Sequence, residues 1–168
     1  GATEAAARGL AEELGVPFQV VTMQEEADIA RAKTAELLGD AERVTNLAKQ
    51  NLQARVRGAM MLNWSNSARG LVLVTSNLSE AAVGYTTTGG DNQGGYSPIA
   101  NVPKTLISRL LARLHERYRL KSINNILVIP PSAELAPDQT DEADLMPYAI
   151  LDDLLYLYGR RRITLPDC

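Results

Sequence analysis

The chain has 168 residues, of which 45% are hydrophobic and 22% are charged. That length and composition are typical of a globular protein with a real hydrophobic core. The formal net charge is −3, which argues against electrostatic binding of nucleic acid. No apolar run approaches the ~20 residues of a membrane span. We therefore expect neither nucleic acid nor a membrane as a partner.

The sequence contains few residues for chemistry that depends on cysteine or histidine. Cys168 is the only cysteine and His115 is the only histidine. A disulfide or a zinc cluster needs several such side chains, and a lone cysteine fits a reducing cytoplasm. His115 lies among charged residues, so we expect it to be solvated. Because the chain begins at Gly1 and runs straight into helix-forming residues, we also expect it to be a piece of a longer polypeptide.

Hydrophobic periodicity and turn residues predict alternating helices and short strands. Strong helix formers are followed by glycine, and short β-branched or apolar runs favour strands. In chain order, we predict a helix at 2–14, a strand at 17–23, helices at 24–38 and 43–68, a strand at 71–74, a short helix at 78–83, a helix from 103, a short strand or packed turn at 126–129, and a helix at 145–158. This alternation is typical of a parallel sheet covered by helices.

The clearest predicted helix spans about residues 43–68. Its apolar residues recur every three or four positions and predict one buried stripe, formed by Val44, Leu47, Ala48, Leu52, Val56, Ala59, Met60 and Trp64. Asn51 and Arg55 are four residues apart and share a face at the edge of this stripe. Polar groups in such a position need partners, which are either a structural hydrogen bond or ion pair, or a ligand.

The apolar run Leu71–Val74 is followed directly by polar residues. A continuous apolar run is typical of a strand covered on both faces, and ligands bind beyond the carboxyl ends of such strands. Glu80 comes three residues after Asn77, a spacing that favours a capping box. Its carboxylate is equally suited to hold Mg²⁺ beside bound phosphates, and the spacing alone does not separate the two roles.

A glycine-rich stretch without periodicity runs from Tyr85 to Asn101. Gly89-Gly90-Asp91 and Gly94-Gly95 permit positive φ and close backbone approach, but they match no phosphate-binding fingerprint. A flexible turn is the alternative interpretation for these glycines.

Two further polar residues are candidates for phosphate binding. Lys104 follows Pro103 in the first turn of a predicted helix, where a cation opposes the helix dipole unless an anion is bound there. It is either a phosphate ligand or a solvated surface lysine. Ser132 follows two prolines at the start of the polar, acid-rich loop 131–144, and it is either a turn residue or a hydroxyl that faces a ligand.

Taken together, these segments resemble the synthetase domain of glutamine-dependent NAD synthetases, within the ATP pyrophosphatase superfamily. The matching motifs are Asn51-Leu-Gln-Ala-Arg55-Val-Arg57, Thr75-Ser-Asn-Leu-Ser-Glu80-Ala-Ala-Val-Gly84-Tyr85, Gly90-Asp91, Pro103-Lys104-Thr105, Pro130-Pro-Ser-Ala-Glu-Leu-Ala-Pro-Asp-Gln-Thr-Asp-Glu142 and Pro147-Tyr148. They follow one another in the family's order over residues 40–158, and several agree in spacing.

The resemblance implies an α/β fold: a Rossmann-like parallel sheet of the adenine-nucleotide alpha-hydrolase type, flanked by helices. The family's phosphate-cradling loop, Ser-Gly-Gly-x-Asp-Ser, and its first strand precede the region that matches Gly1. We therefore expect this chain to lack that first strand and the phosphate loop. Residues 1–168 are interpreted as a single domain, a fragment of a NAD synthetase ligase domain.

The family's reaction is a carbon–nitrogen ligation. Mg²⁺-ATP adenylates the nicotinate carboxylate of deamido-NAD with release of pyrophosphate, and ammonia then gives NAD and AMP. The resemblance thus implies a cytoplasmic, homo-oligomeric (dimeric or larger) ligase that uses ATP and Mg²⁺. In relatives, ammonia comes from glutamine through a nitrilase-like glutaminase domain that these residues do not match. We therefore expect the fragment to be inactive or weakly active alone.

The resemblance also implies roles for seven residues. Those that would contact deamido-NAD are Asn51, Arg55, Glu80 and Asp91. Those that would contact ATP are Thr75, Lys104 and Ser132, and Glu80 would also be the ligand of Mg²⁺. None of these is assigned as a catalytic group, and Thr88 has no assigned role because many relatives carry a different residue there.

Two other interpretations stay open. A non-catalytic module with the same fold would serve nucleotide binding, or dimerisation through the helix at 43–68. A different ATP pyrophosphatase amidotransferase, such as a GMP-synthetase-like enzyme, is disfavoured by the Thr-Ser-Asn-x-Ser-Glu and Pro-Lys-Thr motifs. Binding of deamido-NAD or of Mg²⁺-ATP would distinguish a ligase from a module.

Overall fold

The computed structural model describes residues 1–135, 139–164 and 166 of the chain. In these ranges the α-helices are α1 (Ala2–Leu14), α2 (Gln24–Leu38), α3 (Asn46–Ala68), α4 (Leu78–Ala82), α5 (Lys104–Tyr118), α6 (Ser122–Leu127), α7 (Asp141–Asp144) and α8 (Tyr148–Leu155). A 3-10 turn spans Ala41–Arg43, and a π-helical turn spans Tyr156–Arg160. Cys168 and a few residues of the predicted loop 131–144 lie outside the described residues.

The predicted bounds of the first two helices are confirmed. α1 ends at Gly15 with φ 67°, and α2 ends at Gly39 with φ 70°, a left-handed conformation that glycine adopts without steric cost. α3 begins three residues later than predicted. The side chain of Thr45 accepts a hydrogen bond from the backbone N–H of Ala48 at 3.2 Å, and this cap sets the start of the helix.

The parallel sheet is not confirmed by the described residues, in which pairing is limited to one isolated bridge. Leu73 lies parallel to Tyr96, and the N–H of Val74 donates to the carbonyl of Tyr96 at 2.8 Å. The predicted strand at 17–23 has no regular structure, and residues 126–127 belong to α6. An extended segment becomes a strand only through a ladder of partners. The run at 126–129 instead begins in the last turn of α6, which starts at Ser122 and ends at Leu127, and Val128 and Ile129 form the turn that follows.

The described chain forms two compact units. The first unit comprises residues 1–20, 102–134, 139–164 and 166. In it, α1 packs against α6, and α5 packs against both α6 and α8. Its buried apolar residues are Ala6, Ala11, Ile123, Tyr148 and Leu151. The interpretation of residues 1–168 as one ligase domain remains a prediction.

A side-chain cap from α1 holds the start of α6 within the first unit. The carboxylate of Glu13 accepts hydrogen bonds from the backbone N–H of Lys121 at 2.7 Å and of Ser122 at 3.0 Å, and also from the Ser122 hydroxyl. These bonds hold the pKa of Glu13 below its usual range, with the Ser122 hydroxyl as the largest cause. His115 is also held: its Nδ1 lies 2.8 Å from the carbonyl oxygen of Leu120, so the expectation of a merely solvated histidine was wrong.

The second unit comprises residues 21–101 together with Leu135. In it, α2 packs against the 3-10 turn and against α3. Its buried apolar residues are Val44, Ala54 and Val74.

The predicted stripe on α3 was wrong in detail. Leu47 is 66% exposed and Trp64 is 59% exposed, whereas the buried positions of the helix are Ala54 and Gly58. The reason is the glycine-rich stretch, whose backbone lies directly against these two small residues.

No helix in the described part of the chain combines the length and the apolar character needed to cross a membrane.

Candidate functional site

The turn after Leu71–Val74 forms the capping box that its spacing predicts. The Asn77 side chain accepts from the backbone N–H of Glu80 at 3.0 Å, and the Glu80 carboxylate accepts from the backbone N–H of Asn77 at 3.1 Å. These two reciprocal hydrogen bonds fix the start of α4, and Asn77 is buried, with 2% of its surface exposed. The predicted capping role of Glu80 is confirmed. Thr75, the candidate ATP contact just before this turn, is exposed.

Asn51 and Arg55 anchor the glycine-rich stretch to α3. The hydroxyl of Thr87 donates to Asn51 Oδ1 at 2.8 Å, and Arg55 Nε donates to the carbonyl oxygen of Thr88 at 3.1 Å. Both residues therefore have the structural partners that their position predicted. Thr87 is 7% exposed, which makes its bond to Asn51 costly to lose.

Asp91 closes the same loop and links it to the capping turn. Its Oδ1 accepts from the backbone N–H of Thr87 at 2.8 Å, and its carbonyl oxygen lies 3.4 Å from the Ser76 hydroxyl, which donates to it. A continuous set of contacts thus runs from Ser76 through Asp91 and Thr87 to Asn51. We call these four residues and Arg55 the loop cluster.

Two glycines let the loop lie flat on α3. A Cβ added at Gly58 would lie 2.8 Å from the carbonyl oxygen of Gly90, and a Cβ added at Gly90 would lie 2.9 Å from the Cβ of Ala54. Gly89 has φ 77°. The close approach and positive φ predicted for Gly89-Gly90 are therefore confirmed. A residue larger than glycine at position 58 or 90 would fit only if its neighbours moved.

A hollow of about 440 Å³ opens beside the loop cluster within the second unit. Its polar lining comes from the side chains of Ser76, Thr86, Asn92 and Ser97, and Val74 and Tyr96 contribute apolar surface. Thr86 and Asn92 are chain neighbours of the loop-cluster residues Thr87 and Asp91. The seven predicted contacts are not among the residues that line this hollow.

The other two candidates, Lys104 and Ser132, belong to the first unit. Lys104 is the first residue of α5, and its Nζ lies 5.4 Å from the centre of the Tyr148 ring, within the range of a cation–π contact. The next residue, Thr105, donates through its backbone N–H and its hydroxyl to Asp152 Oδ2, at 2.9 and 2.6 Å. The first turn of α5 is therefore fixed to α8.

Ser132 has a structural partner as well. Its hydroxyl accepts from the backbone N–H of Glu134 at 3.0 Å, which is the turn role that the sequence allowed. Close to it in sequence, the carbonyl oxygen of Pro131 accepts from the N–H of Asp141 at 2.9 Å. A contact between Ser132 and ATP remains a prediction.

A metal site built by this chain alone does not emerge from the described residues, in which no group of three or more metal-binding side chains clusters. The role of Glu80 as a ligand of Mg²⁺ stays a prediction. Mg²⁺ at nucleotide sites is commonly held by one or two carboxylates together with phosphate oxygens and water. A carboxylate fixed at the start of a capped helix has the right chemistry for such a single contact.

The sequence interpretation missed Ala54, Gly58 and Thr87 as residues that build the site. Ala54 and Gly58 are four apart, and Gly58 lies inside a helix, where glycine costs roughly 0.5–1 kcal/mol relative to alanine. That cost was the available signal, since a glycine inside a helix often marks close approach of another backbone. Thr87 carried no such signal.

Comparison with known proteins identifies the family. Residues 2–165 match the model for NAD synthase, and the chain therefore belongs to the NAD synthase family. It is similar to the glutamine-dependent NAD(+) synthetase of Aquifex aeolicus, with 44% identity over 159 residues that cover 94% of this chain and 27% of that protein. The resemblance first found in the motifs is thereby confirmed.

Solved structures agree with this assignment. A glutamine-dependent NAD(+) synthetase from Cytophaga hutchinsonii has a TM-score of 0.82 at 27% identity and covers 97% of this chain and 26% of its own. The enzyme from Acinetobacter baumannii, solved with adenosine diphosphate, has a TM-score of 0.69 at 26% identity, with 97% and 28% covered. This chain thus spans about a quarter of these relatives, and the likeness is consistent with the α/β nucleotide-hydrolase fold that was expected.

Proposed function

We propose that this chain is part of the ligase domain of a glutamine-dependent NAD synthetase. The complete protein would adenylate deamido-NAD with ATP and then amidate it with ammonia, giving NAD, AMP and pyrophosphate. Ammonia would come from glutamine, through a glutaminase domain elsewhere in that protein. The proposal is supported by family membership and by a relative solved with adenosine diphosphate.

The loop cluster is the observation that carries the proposal. It brings Asn51, Arg55 and Asp91 together through Thr87 and Thr88, next to the turn that fixes Glu80. Deamido-NAD carries ribose hydroxyls, aromatic rings, a carboxylate and charged phosphates. The cluster presents an amide, a guanidinium and one carboxylate, and Glu80 adds a second carboxylate; these groups are suited to bind them. We assign these four side chains to deamido-NAD, with their structural contacts serving to hold them in place.

The ATP contacts in this proposal are Thr75, Lys104 and Ser132. A carboxylate becomes a good electrophile only when its oxygen is part of a leaving group, and the charge of the transferring phosphate must be neutralised for that transfer. Lys104, fixed in the first turn of α5, would supply positive charge to the polyphosphate. Bound Mg²⁺ would neutralise further charge, and Glu80 would hold it.

We also propose that the complete protein is a cytoplasmic homo-oligomer, a dimer or larger. The support is the apolar surface that α3 leaves exposed in this chain, which includes Leu47, Met61 and Trp64. Large apolar side chains that stay exposed along one helix favour a protein–protein contact. Light scattering coupled to gel filtration would test this, and a monomer at micromolar concentration would contradict it.

The proposed reaction is tested by titrating the full-length protein with deamido-NAD and with Mg²⁺-ATP in a calorimeter, and by following NAD and pyrophosphate when ammonia is added. We expect binding of both ligands and one pyrophosphate for each NAD formed. Binding of neither ligand would favour the alternative of a non-catalytic module. Turnover of xanthosine monophosphate instead of deamido-NAD would favour a GMP-synthetase-like enzyme.

A further inference from the structure

An aromatic ring with little freedom of its own lies beside Lys104. Tyr148 is the first residue of α8 and is 4% exposed. Its hydroxyl donates to Asp141 Oδ2 at 2.8 Å, and its backbone N–H donates to Glu142 Oε1 at 2.9 Å. Asp141 is itself 3% exposed. The ring is therefore held at the hydroxyl end and at the backbone end.

The same helix also fixes the backbone of the lysine's own turn. Asp152 lies one turn beyond Tyr148 on α8 and accepts two hydrogen bonds from Thr105. Residues four apart on a helix share a face, so this face of α8 contacts both first residues of α5. Asp152 holds the backbone next to Lys104, and the ring of Tyr148 lies 5.4 Å from its ammonium.

The Tyr148 ring offsets two unfavourable features of the position of Lys104. An ammonium in the first turn opposes the helix dipole, and the four-carbon stem of a lysine has many rotamers, some of which direct the charge away. The face of an aromatic ring attracts the ammonium electrostatically. A ring that cannot move therefore restricts the region that the lysine charge occupies.

We propose that Tyr148 is a positioning residue: its ring holds the ammonium of Lys104 where it meets the polyphosphate of ATP. This inference rests on the proposed function of Lys104 as a phosphate contact. Tyr148 acts through the lysine and touches neither substrate. Its loss should weaken the use of ATP by about two- to fivefold, the effect of a cation–π contact at a partly exposed site, and should leave the use of deamido-NAD unchanged.

The test varies the charge distribution of the ring while keeping its shape. In the full-length protein, Tyr148→Phe is compared with phenylalanines that carry one, two and three ring fluorines at the same position, because fluorine weakens the negative face of the ring. All four variants lack the hydroxyl bond to Asp141, so its loss does not differ within the series. We expect KM for Mg²⁺-ATP to rise in step with fluorination, while KM for deamido-NAD and the unfolding temperature stay constant. A KM for ATP that does not change across the series would overturn the proposal.

Tyr118→Leu is the matched control. Tyr118 also has a cation near its ring, with Arg117 at 5.3 Å, but it lies at the opposite end of α5 from Lys104. We expect this variant to keep the wild-type KM for ATP. A rise in its KM for ATP as large as that of the most fluorinated Tyr148 variant would also overturn the proposal. If the wild-type protein itself forms no NAD from deamido-NAD, the proposed function fails, which is distinct from an active enzyme with an unchanging series.

Discussion

Replacing Gly58 by alanine tests whether the loop cluster depends on close contact between α3 and the glycine-rich stretch. Inside a helix this change usually stabilises a protein by about 0.5–1 kcal/mol. Here the new Cβ would lie 2.8 Å from the carbonyl oxygen of Gly90, and an ordinary contact begins at 3.4 Å. The backbone of the loop must therefore retreat by about 0.6 Å. Overpacking of this kind costs about 1–3 kcal/mol, so we expect a net destabilisation of roughly 1–2 kcal/mol.

The displaced loop should also affect the reaction. A shift of about 1 Å at a binding group can cost on the order of 100-fold in rate, so we expect Gly58→Ala to lower kcat/KM for deamido-NAD by about tenfold. The matched control is Gly9→Ala in α1, where a new Cβ would meet its nearest neighbour at a comfortable 3.9 Å. Thermal unfolding and steady-state kinetics of the two full-length variants provide the comparison. Equal stability and equal kcat/KM in both would refute the role of the close contact.

Three further predictions follow from individual side chains. Glu80→Gln should lower the ligation rate by about 100-fold, the typical loss of a group that stabilises transition-state charge, while circular dichroism stays unchanged because glutamine still caps a helix. Lys104→Ala should raise KM for Mg²⁺-ATP without lowering the unfolding temperature. The hydrogen-bond partners of Glu13 lower its pKa in the folded protein. The stabilisation from that carboxylate should therefore be present above its unfolded pKa of about 4.5 and be lost as the pH falls through the lower folded pKa. Glu13→Gln should reduce this acid dependence.

Each of these has an outcome that contradicts it. Wild-type rates in Glu80→Gln would remove that carboxylate from the reaction and leave it as a cap. A wild-type KM for Mg²⁺-ATP in Lys104→Ala would show that the lysine does not contact ATP. An identical acid unfolding curve for Glu13→Gln and the wild type, followed by fluorescence between about pH 6 and 2, would show that the contacts of Glu13 do not contribute to pH-dependent stability.

Local signals in the sequence predicted where several of the helices begin or end. Gly15 and Gly39 end α1 and α2 where expected, because the left-handed conformation at a helix end depends on one residue. Pro103 immediately precedes α5, and the capping box of Asn77 and Glu80 forms as its spacing indicates. Such features depend on side chains only a few residues apart, and these are visible in any single sequence.

Features that depend on distant partners were harder to predict. The run at 126–129 satisfies a strand pattern as well as a helical one, and the distant carboxylate of Glu13 caps the helix that forms instead. The stripe on α3 was assigned to large apolar residues such as Leu47 and Trp64, yet the glycine loop buries Ala54 and Gly58. Periodicity identifies a helix, but only the packed partner decides which of its faces is buried.

The candidate site divides in the same way. The motifs predicted that Asn51, Arg55 and Asp91 matter, and the structure brings them together in the loop cluster through Thr87 and Thr88. That these residues contact deamido-NAD stays a prediction, because a single sequence and the contacts within the chain identify only their structural partners.

The central claim is that the loop cluster and Glu80 bind deamido-NAD and that Lys104 binds a phosphate of ATP. The most direct measurement is a crystal structure of the full-length protein with deamido-NAD and a non-hydrolysable ATP analogue. The claim predicts Arg55 and Asp91 within hydrogen-bonding distance of deamido-NAD, about 2.7–3.2 Å, and Lys104 at the same distance from a phosphate oxygen of the analogue. Both ligands bound at a place that none of these side chains reaches would contradict it.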